Sequence, residues 1–238
     1  MPIVLPRRII DLSPTLTEDL PRRLWGTEVL ARFGFSETLN WKHIVRRPPN
    51  PNWKAYIANS FLELPTHGGP HVDGPNHMIE GGASVADYSL DLFVGPISLI
   101  DARRLPLNES VPLEFIRNYH ISPGDIAILL TGFVPPTRQG ELPRYQYLSP
   151  EAAEYLAELP VKAYGTNGWS VDSPPRDDRP RGGPSVHLSF LRRRIPCIEQ
   201  LHNLEPLLDE ENAVFVGLPL KIHEGNGSPI RAAAFVYE

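Results

Sequence analysis

The chain is poor in sulfur and in long apolar runs. Among its 238 residues there are one cysteine, Cys197, and two methionines. A single thiol excludes an internal disulfide framework and is typical of a reducing compartment, so we expect a cytoplasmic location. No run reaches the roughly 18 apolar residues of a membrane span, and no long apolar stretch follows Arg7 and Arg8 as in a signal peptide. A membrane-embedded or exported protein is therefore not expected.

An excess of positive charge is also absent. Lysine and arginine together number 23 against 28 acidic residues, which gives a net charge of −5 and a pI of about 5.9. Proteins that bind nucleic acid or anionic membranes usually carry a basic patch. The charge balance therefore gives no reason to expect either partner, and a small-molecule ligand is the natural alternative.

Proline is the residue present in excess. The 27 prolines make up about 11% of the chain, against an average near 5%. They are spread along the sequence without a repeat, which indicates many rigid loops around a folded core. The content of 41% hydrophobic and 21% charged residues is ordinary for a globular protein. Because no linker is visible, we predict one α/β domain over residues 1–238.

Short apolar segments bounded by turn residues predict the strands of this domain. They lie at residues 8–13, 97–101, 126–130, 161–165, 195–199, 213–218 and 232–237. Helical spacing predicts helices at residues 84–93, 113–119, 149–159 and 185–194. The clearest helix has Ser149 at its N-cap and Pro150 at its first position.

Residues 21–60 have no clear period and are expected to be irregular. Three of the four tryptophans of the chain, Trp25, Trp41 and Trp53, lie in this segment. Two interpretations stay open. These rings either pack a long connection onto the core or form a wall of an apolar substrate pocket.

Residues 67–77 contain three histidines and an aspartate among glycines and prolines. The proline and glycines between them exclude a stable helix, so the backbone is extended or turning. In an extended segment His71 and Asp73 point to the same side. Glycines allow the bend that brings His67 to the same point, and a Gly-Pro turn can place His77 beside the other three.

Imidazole and carboxylate groups without a thiolate suit Zn²⁺, Mn²⁺ or Fe²⁺. The alternative is a Gly/Pro loop in which the histidines and Asp73 only pair with one another. Such packing requires no repeated spacing, whereas metal binding does. The segment therefore favours a metal site.

The same stretch resembles the signature HxGTHxDxPxH of the cyclase family of metal-dependent hydrolases, which includes bacterial kynurenine formamidases and isatin hydrolases. Every histidine, the aspartate, the proline and the glycine at Gly69 are present. Pro70 stands where the family commonly has threonine. A threonine hydroxyl can donate a hydrogen bond and proline cannot, so the departure concerns the surroundings of the site and not its metal-binding atoms.

Two further blocks resemble the family. Residues 165–172 match a G-x-D-x-x-S-x-D pattern, with Asn167 in place of its first aspartate. Asp172 in this block either caps a turn or helix or supports the site. Glu199 begins a stretch similar to ENLxNL and follows His187 by twelve residues, the family's interval between its distal ligands. The resemblance thus implies that His187 and Glu199 complete the ligand set.

Residues 9–13 are also similar to the family's opening iDLS, and residues 219–231 to its closing PLk…GxPxR, so the blocks are scattered over residues 9–234. The resemblance therefore implies the family's fold for nearly the whole chain. That fold is the swivelling β/β/α type, a central, mostly β, barrel-like sheet with flanking helices. It also implies a homo-oligomer, either a dimer or a tetramer.

The ligand set and the resemblance together predict a metal-dependent amidohydrolase. The expected cofactor is Zn²⁺ or Mn²⁺, one or two ions, which lowers the pKa of bound water from ~15.7 toward ~7. Hydrolysis of an amide also requires protonation of the departing nitrogen, and the resemblance assigns proton transfer to His77. The expected substrate is an N-formyl amide or a cyclic amide. The predicted metal ligands are His67, His71, Asp73, His187 and Glu199.

Other interpretations stay open. The same metal site could serve lactone hydrolysis or a dehydration, or the chain could bind metal without catalysis. A purely structural site is closed by four protein ligands, and His77 as an additional base argues against it. Cys197 as a nucleophile is disfavoured by its apolar strand. Arg231 could orient a substrate or pair with a loop acid, and residues 173–184 form either a lid or a solvated loop.

Overall fold

The computed structural model describes residues 4–20, 23–24, 40–46, 57–138, 141–174 and 185–238. The side chains of Trp25, Trp41 and Trp53 lie outside the described residues, and so do residues 175–184. The interpretations of the aromatic segment as a pocket wall and of residues 173–184 as a lid therefore concern parts of the chain that are not described.

Thirteen strands are present in the described part of the chain. They are β1 (Arg8–Asp11), β2 (Asn40–Arg46), β3 (Ile57–Glu63), β4 (His71–Asp73), β5 (Val94–Asp101), β6 (Ser110–Val111), β7 (Ile126–Leu130), β8 (Tyr147–Leu148), β9 (Ala163–Thr166), β10 (Cys197–Glu199), β11 (Ala213–Val216), β12 (Gly227–Pro229) and β13 (Ala233–Val236). The α-helices there are α1 (Leu113–Ile116), α2 (Pro150–Glu158) and α3 (Ser185–Leu191).

Nine of these strands form one mixed sheet in the order β1, β13, β11, β5, β7, β9, β10, β4, β12. The four central strands, β5, β7, β9 and β10, run parallel to one another, and every other neighbouring pair is antiparallel. All five residues of β7 are buried, which is typical of a parallel strand covered on both faces. The antiparallel ends then extend the sheet on both sides of this centre.

Each face of the sheet carries its own apolar core. One core includes Phe93 and Phe215, and the other includes Tyr164, Leu156 of α2 and Phe190 of α3. The aromatic rings of Tyr164 and Phe190 stack with their centroids 4.6 Å apart. Helices α2 and α3 thus cover the second face. The prediction of an α/β fold with a central sheet and flanking helices is confirmed.

Helix α2 begins as its sequence predicts. The side-chain oxygen of Ser149 accepts a hydrogen bond from the backbone N–H of Ala152 over 3.2 Å, and Pro150 occupies the first position. This bond satisfies one of the N–H groups that a helix start leaves without a partner. Among the described helices none has the length and hydropathy to cross a membrane.

The helix expected at residues 84–93 is wrong in type. Two 3₁₀ helices, Val85–Asp87 and Leu90–Phe93, take its place. The Asp87 carboxylate accepts a hydrogen bond from the backbone N–H of Ser84 over 2.9 Å and closes the first of them after one turn. The backbone is then extended at Tyr88, so no continuous α-helix forms.

The expectation that residues 21–60 are irregular is wrong for part of that segment. Strands β2 and β3 form an antiparallel ribbon in which Asn40 pairs with Glu63 and Arg46 with Ile57. The side chains of residues 58–63 in β3 are all exposed, so both faces of this part of the strand are open to solvent, and Phe61 is 62% exposed. A strand without a buried face shows no alternation of polar and apolar residues, which explains why its sequence gave no strand signal.

Candidate metal centre

The register of β4 against β10 places three of the predicted ligands together. His71 and Asp73 are two residues apart in β4 and share a face of the sheet. Glu199 of β10 is the direct partner of His71 across the antiparallel pair. Side chains at such positions are close neighbours, with β-carbons roughly 4.5–5.5 Å apart. All three are buried, with 1%, 0% and 6% of their surface exposed.

His67 reaches the same place from the turn before β4. Its Nδ1 atom lies 2.8 Å from Oδ1 of Asp73. The turn includes Gly69, whose φ of +72° is in the region that favours glycine. On the other side of β4, Gly227 of β12 pairs with Asp73, and a β-carbon at Gly227 would lie only 2.6 Å from the His67 ring. The missing side chain of Gly227 therefore makes room for the imidazole.

His187 enters the site from helix α3. Its Nε2 atom is 3.2 Å from Oδ2 of Asp73 and 3.1 Å from Oε1 of Glu199. Its Nδ1 atom lies 2.5 Å from Oδ2 of Asp172, whose Oδ1 accepts a hydrogen bond from the backbone N–H of Val186 over 2.8 Å. Asp172 therefore has both of the functions left open by the sequence, since it caps the first turn of α3 and holds His187.

The donor atoms form two groups that share Asp73, and in each group all donors lie within 4.8 Å of one another. We call the group of His67, His71 and Asp73 the outer position, and that of Asp73, His187 and Glu199 the inner position. Asp73 offers Oδ1 to the first and Oδ2 to the second. One carboxylate can thus bridge two cations, and all five predicted ligands are brought together.

The residues present fit a divalent cation. The Nδ1 atom of His71 lies 2.8 Å from the carbonyl oxygen of Gly69, so it donates its hydrogen there, and in the neutral ring Nε2 carries the lone pair that a metal ion requires. That Nε2 atom is buried and lies 3.3 Å from Oδ1 of Asp73 and 3.4 Å from Oε2 of Glu199, but it makes no well-directed hydrogen bond with the described residues. Buried polar atoms without hydrogen-bond partners are rare in proteins. A divalent cation can bind both this nitrogen and the nearby carboxylates.

Opposing charges dominate the electrostatics of the site. Burial favours the neutral form of His71, but the carboxylates of Asp73 and Glu199 outweigh it and raise the pKa of His71 to about 10. Burial likewise opposes ionisation of Asp73, but the surrounding histidines, His71 foremost, hold its pKa well below the usual range. The site therefore attracts positive charge, which protons supply when no metal is bound.

His77 lies beside both positions without belonging to either. It ends the 3₁₀ helix Pro75–His77, and its ring centroid is 4.1 Å from that of His67 and 5.7 Å from that of His187. Burial lowers the pKa of His77 to about 4, so its imidazole is neutral at neutral pH. A neutral imidazole beside the ligands can accept a proton and return it.

Several residues at the site had no assigned contact in the sequence analysis. Oδ1 of Asn226 lies 3.2 Å from Nε2 of His67. Asn167 stands where the family pattern has an aspartate and makes two hydrogen bonds with the backbone of Thr131. Its side-chain oxygen accepts from the Thr131 N–H over 2.7 Å, and its side-chain nitrogen donates to the Thr131 carbonyl oxygen over 3.0 Å. The sequence singled out Asn167 only as a departure from the family's pattern and gave no prediction for Asn226. Pro70, the other departure, accepts a hydrogen bond from Ile230 through its carbonyl oxygen.

The two remaining candidates lie away from this chemistry. Cys197 is fully buried, and burial raises the pKa of its thiol, so a nucleophilic thiolate is disfavoured. Arg231 pairs with Asp11 through two bonds, with Nε 2.8 Å from Oδ1 and Nη2 2.5 Å from Oδ2. Arg231 therefore has the structural contact that the sequence left as one of two options.

A cavity of about 580 Å³ lies at the carboxyl ends of β7, β9 and β10. Its lining includes Leu20, Phe133, Trp169 and Gln200. None of the predicted ligands lines the cavity, and its link to the metal centre is Gln200, whose Nε2 donates to the backbone carbonyl oxygen of His67 over 3.4 Å. Its volume is in the range of small-molecule sites, and the ends of parallel strands are a common place for them.

A mixed α/β sheet that presents buried imidazoles and carboxylates to a common point, with a neutral histidine beside them, has the features of a metal-dependent hydrolase. The comparison with known families gives the particular one. The Cyclase family matches residues 10–173, more than half of the chain. The chain therefore belongs to this family, as the motif of residues 67–77 predicts.

Two curated relatives are kynurenine formamidases. The chain is 30% identical to the protein from Erythrobacter litoralis, and the match covers 95% of this chain and 93% of the relative. It is 32% identical to the protein from Delftia acidovorans over 73% of this chain and 78% of the relative.

Solved structures of isatin hydrolases have the same fold. Isatin hydrolase A from Labrenzia aggregata superposes with a TM-score of 0.70 at 25% identity, covering 97% of this chain and 94% of that one. A second isatin hydrolase, solved with the product analogue thioisatinate, gives a TM-score of 0.74 at 19% identity, covering 97% and 93%. These matches confirm the predicted fold class.

Proposed function

We propose that this protein hydrolyses an amide-type C–N bond, in an N-formyl amide or a cyclic amide of a small aromatic compound, with one or two Zn²⁺ or Mn²⁺ ions. The observation that carries the proposal is Asp73, which joins two groups of buried donor atoms while His77 lies beside both. The relatives named as kynurenine formamidases and isatin hydrolases support this choice of substrate class.

A divalent ion in such a site activates water at neutral pH and polarises the substrate carbonyl. The two carboxylates, Asp73 and Glu199, neutralise its charge, and the imidazoles complete the ligand set. His77 is neutral at working pH, so it first accepts a proton from the attacking water. It then returns that proton to the departing nitrogen, without which the amide bond does not break.

The cavity beside Gln200 supports the binding of an aromatic substrate. Phe133 and Trp169 supply apolar rings to its wall, and Asn167 and Gln200 add amide groups. An aromatic acyl or anilide group fits a cavity of this lining and volume. The scissile bond of such a substrate would then lie toward Glu199, the neighbour of Gln200.

Three further properties belong to the proposal. We propose a single domain over residues 1–238, a cytoplasmic location supported by the one buried thiol of Cys197, and a homo-oligomer. The ribbon of β2 and β3 supports the last, because an isolated two-stranded ribbon is marginally stable in water. Phe61 and Leu62 are 62% and 47% exposed there, and a second copy of the chain could cover them.

The test combines metal analysis with a substrate screen. Purified protein is expected to carry Zn²⁺ or Mn²⁺ at one or two ions per chain, to lose activity on chelation and to regain it with either ion. Formyl-anilides or cyclic imides should be cleaved faster than lactones. A protein without stoichiometric metal, or with activity untouched by a strong chelator, contradicts the metal-dependent mechanism. Preference for a lactone contradicts the substrate class alone.

A further inference from the structure

The histidines of the outer position are held by neutral partners. The second nitrogen of His67, Nε2, lies 3.2 Å from the amide oxygen of Asn226, and that of His71 lies 2.8 Å from the carbonyl oxygen of Gly69. Both bonds fix the ring and leave the opposite nitrogen for an ion. The His67 side chain is 19% exposed, so the outer position meets solvent on this side.

The inner position is held by charge and is closed to solvent. His187 is 2% exposed, and its second nitrogen lies 2.5 Å from the carboxylate of Asp172. The Oε1 atom of Glu199 accepts a hydrogen bond from the backbone N–H of Val171 over 2.8 Å. Three carboxylates, from Asp73, Glu199 and Asp172, therefore lie at or directly behind the inner position. Asp73 is shared with the outer position and Oε2 of Glu199 lies 3.4 Å from Nε2 of His71, so Asp172 is the carboxylate that the inner position alone has.

The distances within the inner position also suit an ion without rearrangement. Nε2 of His187 is 3.2 Å from Oδ2 of Asp73 and 3.1 Å from Oε1 of Glu199. Tetrahedral donors about 2.0–2.1 Å from Zn²⁺ are separated by roughly 3.3 Å. Little conformational adjustment is then required when an ion enters. In the outer position Nε2 of His71 is likewise 3.3 Å from Oδ1 of Asp73, but Nδ1 of His67 is only 2.8 Å from that oxygen, so His67, which lies on a glycine-containing turn, must move to admit an ion.

We propose that the two positions are unequal and fill in order, the inner position first and with a retained ion, the outer position second and with an exchangeable ion. Buried charges are weakly screened, so the additional carboxylate of Asp172 behind His187 favours a dication at the inner position. Once there, that ion draws on the shared Asp73 and repels a second cation. Asp172 and Asn226 are the positioning residues that set the difference. The inference rests on the proposed function, because it requires that the site binds divalent ions.

Calorimetric titration of the metal-free protein with Zn²⁺ tests the order. Wild type is expected to bind in two steps, separated by at least about 10-fold in affinity, the size of effect that partners behind a metal ligand exert. His67→Ala should lose only the weak step, and His187→Ala should lose the tight one. A single bound ion that persists in His67→Ala and is lost in His187→Ala supports the same order.

A nearly isosteric exchange of charge sharpens the test. Asn226→Asp keeps the acceptor for His67 and for the Thr66 hydroxyl, which donates to it over 3.1 Å, and adds a negative charge behind the outer position. It is expected to strengthen the weak step. Asp172→Asn should weaken the tight step by about 10–100-fold. Because Asp172→Asn also removes an acceptor from Val186 or His187, the folding of this variant is checked by thermal melting without metal. If Asp172→Asn melts at a lower temperature than wild type, the test of the order relies on Asn226→Asp.

The outcomes separate this inference from the function beneath it. Two ions of equal affinity, a tight step lost in His67→Ala, or a weak step unmoved by Asn226→Asp would each overturn the proposed order while leaving the metal-dependent hydrolase intact. Failure of Zn²⁺ and Mn²⁺ to bind at all would overturn both. None of these readouts depends on turnover of a substrate.

Discussion

The two ends of the nine-stranded sheet are built alike and carry different residues. At one end β1, β13 and β11 run antiparallel, and at the other β10, β4 and β12 do the same. The first, the apolar end, buries Phe215, Ala234 and Val236, whereas the second, the metal end, buries His71 and Asp73. The same strand pattern thus supports either a core or a charged site, and the inward-facing residues alone decide which.

The difference has an energetic side. Apolar residues gain free energy on leaving water, roughly 25 cal/mol for each Å² buried. Buried charges lose hydration and are stable only when paired or bound to a metal. The apolar end therefore stabilises the protein by itself, while the metal end depends on the balance between its carboxylates and the cations they hold.

Among substitutions at the two ends of the sheet, removal of the Asp73 carboxylate should have the largest effect on metal binding and activity. Asp73→Ala takes one donor from both positions and leaves His67 and His71 without their nearest anion, so we expect loss of all bound metal and of activity. Elemental analysis and an activity assay measure the two losses. The matched control is Asp11→Ala, an exposed acid in β1 at the apolar end, which should keep both. Full metal content in Asp73→Ala would remove Asp73 from the ligand set.

Removal of His77 should affect catalysis and not metal. A positioned proton-transfer group contributes typically 10²–10⁴-fold, so kcat of His77→Ala is expected to fall by about that factor with metal content near wild type. An activated ester, whose leaving group requires no proton, should be affected much less. If metal is lost instead, His77 is a ligand; if kcat is unchanged, it has no part in proton transfer.

A substitution that leaves a void in the core of the apolar end should reduce the stability of the protein and leave metal binding and catalysis intact. Phe215 is fully buried and packs against Gly217, so Phe215→Ala is expected to lower the free energy of unfolding by about 3–5 kcal/mol. Denaturant unfolding measures this loss. Metal content and kcat per folded molecule should stay at wild-type values. A selective loss of metal would mean that the two ends are coupled through the sheet.

Adding a methyl group at Gly227 in the edge strand β12 of the metal end should impair ion binding at the outer position only. In Gly227→Ala the new β-carbon would lie 2.6 Å from the His67 ring, so the ring must move and the outer position loses a donor. We expect the weakly bound ion to be lost and the tightly bound one to stay. The number of ions bound per chain, measured by calorimetry, tests this expectation. Loss of both ions would show that Gly227 supports the whole site.

The smallest effect is expected at the Arg231 pair. Arg231 and Asp11 form an exposed ion pair, and exposed pairs contribute little to stability. Arg231→Ala should therefore leave the melting temperature, metal content and kcat/KM unchanged. A rise in KM alone would assign Arg231 to substrate binding, the second option that its sequence context allowed.

The parts of the fold that sequence predicted are those with a strong local pattern. Strand β7 is a continuous apolar run, and α2 has Ser149 and Pro150 at its start. Strand β12 has neither, because Gly227–Pro229 consists of turn residues that become a strand only by pairing with β4. Pairing between segments so far apart in the chain leaves no trace in either segment alone.

The candidate site divides in the same way. Four of its side chains lie within residues 67–77, where spacing indicated metal, and the distal pair required the family resemblance. Asn226 was not assigned a contact because its partner, His67, is 159 residues away. The dual contact of Asp172 could not be predicted either, because it requires the start of α3 and the His187 ring to be placed together.

The shared carboxylate has a consequence for how the protein folds. Through Asp73, an ion would join the segment that includes residues 67–73 to the segment that includes residues 187–199 and would close a very long loop of chain. Such long-range closure is entropically slow, so we infer that the centre is assembled late, after the parallel strands between those segments have paired. A bound ion would then act as a reversible cross-link that slows unfolding from this end of the sheet.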